Sequence, residues 1–179
     1  MPTVTAYPNV AASSTTQTGL TARPSGVAWT NVNNVKADDA STATNANTAN
    51  AGYQFIVTSD FRVGGTTLAN LIPPSSIITG VTVGFKGTGP SFQTFSDLRA
   101  RLTGSVYDEL SGEIAVGDVE SNYVGSQIPN TESVRDSSFG VVVGIEGDGN
   151  DATVQVVYLK ITYMSGDRRA RTRTTMRAS

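Results

Sequence analysis

The chain has 179 residues, of which 38% are apolar and only 16% charged, with no cysteine and no histidine. Disulfides, thiol nucleophiles, Cys/His zinc sites and histidine acid–base catalysis are therefore excluded, while the length suffices for one domain with a real core. The formal net charge of −2 hides an asymmetry: residues 1–166 hold 8 Lys+Arg against 14 Asp+Glu (−6), and residues 167–179 hold five Arg against one Asp (+4).

The polar surface must be built from Thr, Ser, Asn and Gly, a mix that favours strands and turns because these side chains compete with helical hydrogen bonding. The start, "MPTVTAYPNV", has neither a basic n-region nor an apolar h-region, so no signal peptide is expected. No apolar run reaches the ~18 residues of a membrane span. Synthesis in the cytoplasm and no membrane association are expected.

Residues 1–24, "MPTVTAYPNVAASSTTQTGLTARP", read as an extended N-terminal arm, with Val4, Tyr7 and Val10 its only anchors. The body is expected over residues 25–166. "SGVAWTNV" reads as a first short strand with Trp29 turned inward, and "GYQFIVTSDF" as a strand with Tyr53, Phe55 and Val57 on one face. "GGTTLANLIPPSS" reads as a loop stopped by two prolines. "SIITGVTVGFKG" alternates Ile77, Thr79, Val81, Val83 and Phe85 with Ile78, Gly80, Thr82, Gly84 and Lys86, the period of a strand. "QTFSDLRARLTGSVYD" puts Phe95, Leu98, Ala100 and Leu102 inward and Arg99 and Arg101 outward.

Residues 107–137 read as a long loop with one or two short strands. "SFGVVVGIEG" and "DATVQVVYLKITYM" are the clearest strands, and "GDGND" between them has the composition of a hairpin turn. No window shows a helical period. Many short strands separated by Gly, Pro and Asn predict an all-β fold, an antiparallel β-sandwich of jelly-roll type. Residues 167–179, "DRRARTRTTMRAS", form a basic C-terminal tail.

Candidate chemistry is thin. Asp38 and Asp39 beside Asn33 and Asn34 could offer oxygen ligands to calcium, but the spacing fits no calcium loop and a turn accounts for them. Asp148 and Asp151 sit in the expected turn. Asp108, Glu109 and Glu113 could serve a glycosidase only at defined separations that a sequence does not supply. The loops "GTGPSF" and "RVGGTT" lack the Lys-Ser/Thr and helix of a phosphate cradle. The expectation is a non-enzymatic protein without cofactor or metal. The tail is the strongest partner signal: Arg168, Arg169, Arg171, Arg173 and Arg177 suit bidentate pairing with carboxylates on an acidic protein surface. Phosphate contacts are the rival use, and the acidic body argues against a nucleic-acid footprint.

"AWTNVNNVKADDASTAT" resembles the N-terminal signature of a β-sandwich found in bacteriophage virion proteins, where a Trp-Ser/Thr-Asn start leads to an Asn, an acidic pair and an Ala/Thr strand. "LIPPSSIITGVTVGFKG" resembles the next segment, and "SFGVVVGIEG" with "DATVQVVYLKITYM" looks like a closing hairpin. The match spans about residues 27–164 and leaves out the arm and the tail. Val32 stands where the family often has proline.

The resemblance implies a jelly-roll structural protein of the virion. The leading expectation is a capsid decoration (cement) protein, a homotrimer binding the major capsid protein or other virion proteins, gripping through the arm (Val4, Tyr7) and the arginine tail. The alternative is a tail-, collar- or fibre-associated protein that binds host glycans on Tyr107, Tyr123 or Phe92. It also implies that Trp29 fills the end of the core and that Asn31, Asn33, Asn34, Asp38 and Asp39 fix a loop leading into a strand.

Overall fold

The computed structural model describes residues 1–14, 28–46, 54–88, 99–103, 117–123, 128–145 and 151–166. Among these, the strands are β1 Thr3–Ser14, β2 Ala43–Asn45, β3 Gln54–Val63, β4 Thr66–Thr67, β5 Ile77–Thr88, β6 Arg99–Thr103, β7 Gly117–Tyr123, β8 Gly140–Ile145 and β9 Ala152–Met164. Two single-turn helices, α1 Leu68–Leu71 and α2 Thr131–Arg135, and a 3-10 turn at Val32–Lys36 complete them. Every strand pairing is antiparallel. The strands form one open sheet in the order β6-β8-β3-β1-β9-β5-β7, with β2 added to β9 and β4 to β3. The fold is all-β, as the Thr/Val-rich alternating segments predict.

Residues 3–14 are not an arm. They form the middle strand, and β1 joins two halves of the sheet. Thr3–Ala6 pair with β9, from Thr3↔Thr162 to Ala6↔Leu159, and Tyr7–Ser14 pair with β3, from Tyr7↔Arg62 to Ser14↔Phe55. Pro8 lies just past the handover; having no N–H, it fits where one ladder ends and another begins. The low apolar content that suggested an arm is the content of a seam strand, held by main-chain pairing to β9 along Thr3–Ala6 and to β3 along Tyr7–Ser14. Where β1 leaves β9, β2 takes its place, pairing Ala43 with Val154 and Asn45 with Ala152.

A second correction concerns β8 and β9. They do not form a hairpin: β8 pairs with β3 and β6, whereas β9 pairs with β1, β2 and β5. Their connection therefore passes from one half of the sheet to the other. A Gly/Asn-rich link permits either a tight return or such a crossing, so its composition does not decide. The resemblance to a closing hairpin fails at this point.

The expected alternation holds along β5 and β9 but shifts by one residue at two irregularities. On β5, Ile78 is buried and then Val81, Val83 and Phe85, with Thr79 the extra residue between Ile78↔Tyr163 and Gly80↔Thr162. On β9, Gln155 is the extra residue between Val154 and Val156, and Val157, Leu159 and Ile161 continue the buried row. These are β-bulges, which bend and twist a strand. On β3 the core-side positions are Ile56 and Thr58, then Phe61, and Asp60 with φ 52 makes the shift. Phe55 is buried too, outside that cluster, Val57 is half-buried, and Tyr53 lies outside the described residues.

Two further segments depart from expectation. Residues 28–29 are not strand; only Thr30 bridges, to Thr44, and the chain then enters the 3-10 turn. "GGTTLANLIPP" is more than a loop: the Gly64–Gly65 turn returns the chain as β4 on β3 and then into α1, which buries Leu68.

One apolar cluster holds the two halves together. It takes Ile56 and Phe61 from β3 and Val141 and Val143 from β8, and meets Val81, Val83 and Phe85 of β5 and Val157, Leu159 and Ile161 of β9. Each such side chain contributes roughly 1.5–3 kcal/mol when fully buried. Trp29, 4% exposed, belongs to this cluster, with Val35 of the 3-10 turn. Val4 is half-buried and packs against it. Arg135 locks α2 to α1, its guanidinium donating to the carbonyls of Ile72 (2.8 Å) and Ala69 (2.9 Å).

Candidate protein interface

The loop that carries the acidic pair is built from its own side chains. Asn31 adopts a left-handed conformation, φ 54, which Asn tolerates better than most residues. Its carbonyl accepts from the Asn34 amide at 2.9 Å, and Asn34 Nδ2 donates to the Thr42 carbonyl at 2.9 Å. Asp39 Oδ1 accepts from Ser41 N at 3.0 Å, an Asx turn leading into β2. Asp38 pairs with Lys86 on β5 at 2.6 Å and accepts from Gln155 at the β9 bulge at 3.1 Å. Asp38 thus ties the loop to the sheet, and Asp39 shapes the loop itself. Among the described residues, no three His, Cys, Asp or Glu side chains gather as a metal group would.

A second polar knot sits near the handover in β1. Asp60 Oδ2 accepts from Asn9 Nδ2 at 2.9 Å and from both Nε and a terminal nitrogen of Arg62 at 3.1 and 2.6 Å. The Arg62 hydrogen bonds lead in holding the Asp60 carboxyl below its ordinary value, helped by Asn9 and opposed by burial. The Asp60 amide donates to the Ser137 carbonyl at 2.9 Å, fastening the α2–β8 connection to β3. A shallow cavity of about 270 Å³ beside α2 is lined by Asn130, Glu132, Ser133, Asp136, Ser138 and Phe139. Its polar groups mostly serve one another: Asn130 Oδ1 caps the helix by accepting from Ser133 N, and Asp136 accepts from the Ser138 hydroxyl and amide, which lower its pKa.

The outward face of β1 and β9 presents Tyr7 and Tyr158, with ring centroids 6.4 Å apart. Lys160 Nζ stands 5.6 Å from the Tyr158 centroid. The phenol end of Tyr158 lies over Gly84 of β5, where any Cβ would overlap the ring. Tyr7 and Val4 therefore point to opposite sides of β1: Tyr7 outward, Val4 toward the core.

The feature that sequence reasoning missed is at one end of the β5–β9 ladder. Met1 is 78% exposed, Ile77 59% and Met164 43%; the other exposed large apolar residue among the described ones is Val10. All three line one cleft of about 680 Å³ with Pro2, Ser75, Ser165 and Gly166. Ile77 and Met164 are register partners across β5 and β9. The N-terminus is brought there by the Tyr163 amide, which donates to the Pro2 carbonyl at 3.1 Å, and by the Thr79 hydroxyl, 3.6 Å from the Met1 sulfur. Gly166 presses against Ser75, so a Cβ at that position would strike the Ser75 carbonyl.

The cleft walls are largely apolar, with two serines and the Met1 main chain among them, an arrangement that suits docking. The predicted grip residues Arg168, Arg169, Arg171, Arg173 and Arg177 lie outside the described residues, but their segment follows directly from Gly166 at the cleft wall. Phe92 and Tyr107 also lie outside, as does the side chain of Tyr123. The adjacent Ile77 and Ile78 were the available sequence signal, since a strand presents only one of two neighbours to its core.

No protein-family model matches the chain, and no curated protein or solved structure matches it. Among the described residues no helix is long and apolar enough to cross a membrane.

Proposed function

We propose that the chain is a non-enzymatic structural protein that holds surfaces together: a capsid decoration protein of a phage virion, attached to the major capsid protein, most economically as a trimer. The two halves of its sheet fold over each other as a jelly-roll-like sandwich. Support for the sandwich is the single apolar cluster drawn from both halves, with β1 shared between them and the β8–β9 link crossing from one to the other. Strands that switch sheets at bends are how sandwiches make their corners.

The observation that carries the role is the meeting of Met1, Ile77 and Met164 in one cleft, at the point where the basic tail leaves the body. Exposed apolar clusters rimmed by polar or charged groups mark interaction sites. The virion setting rests on the resemblance of about residues 27–164 to phage β-sandwich proteins, whose closing hairpin β8 and β9 do not form.

Co-sedimentation with expanded, empty phage heads lacking the protein tests it. The expected result is saturable attachment at physiological salt, weakened by deletion of residues 167–179. Absence of attachment to heads, with attachment to tails or bare host cells instead, overturns it. The second reading, host-glycan binding, is favoured by the Tyr7–Tyr158 pair with Lys160. It ranks lower because Tyr158 already rests on Gly84 and is attended by Lys160, which leaves little open ring for a sugar. A glycan array probed with the isolated protein separates the two.

A further inference from the structure

The two strands that end the sheet carry opposite charge at matching positions. Among the described residues, β6 pairs only with β8 and β7 only with β5, so each leaves one main-chain edge open. β6, "RARLT", has Arg99 and Arg101 and no acid; β7, "GDVESNY", has Asp118 and Glu120 and no base. We infer that β6 of one copy of this chain adds to β7 of a second copy, the two arginine positions set against the two acidic ones, so that the sheet runs on from chain to chain. The contact goes beyond the head-binding reading: it says how copies join one another, whatever surface they cover.

The main-chain register fixes the face that each position takes. On β6, Ala100 and Leu102 stand opposite Val143 and Val141, members of the apolar cluster, so Arg99 and Arg101 occupy the other face. On β7, Val119 stands opposite Phe85 and Ser121 opposite Val83, also members, so Asp118 and Glu120 occupy the other face. Both charged pairs therefore share the face away from the core, and both are spaced two residues apart. A single register then brings both arginine positions opposite both acidic positions and leaves the core-side rows of the two copies continuous. A slip by one residue would break both matches together, so the register is specified from both faces.

Charge on an edge strand discourages pairing with another chain. Here it blocks each edge against itself: β6 on β6 would oppose arginine to arginine, and β7 on β7 carboxylate to carboxylate. The mixed pair escapes that repulsion, so the charges that guard each edge also select its partner. An unrelated protein would have to offer the opposite sign at the same two-residue spacing; every copy of this chain already does. A copy that uses β6 on one neighbour and β7 on the next makes a head-to-tail contact, which closes as a ring or continues as a filament. The trimer proposed above is one such ring.

The test follows full-length protein by sedimentation velocity over a range of concentrations. The wild-type chain is expected to self-associate, and less so at high salt. Arg99→Glu with Arg101→Glu makes both edges acidic, and Asp118→Lys with Glu120→Lys makes both basic; each double variant alone should associate at least about tenfold more weakly. Mixing the two double variants should restore association, as should all four substitutions in one chain. Hydrogen exchange should slow at the amides of β6 and β7 on association, a change that side-chain contacts elsewhere do not produce. Where a reversal disturbs folding, judged by circular dichroism, Arg99→Gln with Arg101→Gln should give a milder weakening.

A wild-type chain that stays monomeric at every concentration overturns the inference, whether or not it attaches to heads. Association that survives charge reversal, a mixture of the two variants that stays monomeric, or unchanged exchange at β6 and β7 overturns it as well. Failure to attach to heads by a protein that associates as described counts against the decoration reading alone, so the two failures are distinguishable.

Discussion

The middle and the end of the β5–β9 ladder are made of the same residue types and behave oppositely. In the middle, Val81, Val83 and Phe85 face Leu159 and Ile161 in the core and are shut away from water. At the end, Ile77 opposite Met164 is left in the open, next in sequence to a buried Ile78. Hydrophobicity does not distinguish them; position relative to the Thr79 bulge does. The bulge turns one isoleucine into core and hands its neighbour to the surface. The lesson is that an apolar residue in a strand acquires its role from register, and a single extra residue can convert packing material into a contact surface.

Substitutions should separate the two regions by size of effect. Phe85→Ala in the middle removes a large, fully buried side chain and leaves a cavity between the two halves of the sheet. Chemical denaturation should show a loss of about 3–5 kcal/mol. A loss under about 1 kcal/mol would mean that the site collapses freely and that the halves are loosely joined.

Asp60 lies at neither region but at the seam that connects them, and it predicts a pH dependence. Its folded-state carboxyl is held below the unfolded value by Arg62 and Asn9. The group therefore contributes stability above the ordinary carboxylate range, and that contribution is lost as pH falls through the folded value. Asp60→Asn, which keeps a residue tolerant of φ 52, should lower stability at neutral pH and make its acid limb flatter. The wild-type and variant curves should converge at low pH. Parallel curves from neutral to acid would show that the carboxylate is not what Arg62 recognises.

The smallest expected effect is at the end of the ladder. Ile77→Asp should change stability by no more than about 0.5 kcal/mol, because the side chain is 59% exposed. A cost approaching that of Phe85→Ala would erase the distinction between the two regions and make the cleft a piece of core.

Much of this fold was legible in the residues. The β-branched alternation of "SIITGVTVGFKG", "SFGVVVGIEG" and "DATVQVVYLKITYM" marks β5, β8 and β9. Trp29 enters the core as expected, and the Asn/Asp loop leads into β2. β1 escaped because it is held by main-chain pairing, first to β9 and then to β3, and its core side holds Val4 and Ala6 among Thr, Ser and Ala that leave no period to read. The β8–β9 relation escaped because turn chemistry specifies a bend and not which strands pair after it. The cleft escaped for a third reason: both isoleucines suit a strand equally, and the bulge that chooses between them has no signature in "SIITG". The predicted grip of Val4 and Tyr7 reads differently in three dimensions, since the two point to opposite sides of one strand.

The shared strand also has a consequence in time. Thr3 finds its partner in Thr162 and Ala6 in Leu159, so the opening stretch of β1 is joined only by β9, the last in sequence of the described strands. Loop closure over so long a stretch makes assembly slow, and no ribosome-bound fragment ending before β9 can complete the sheet. A nascent chain must carry Thr3–Ala6 unpaired until β9 is made, while Tyr7–Ser14 can already join β3, so truncation before β9 costs this molecule far more than a surface substitution.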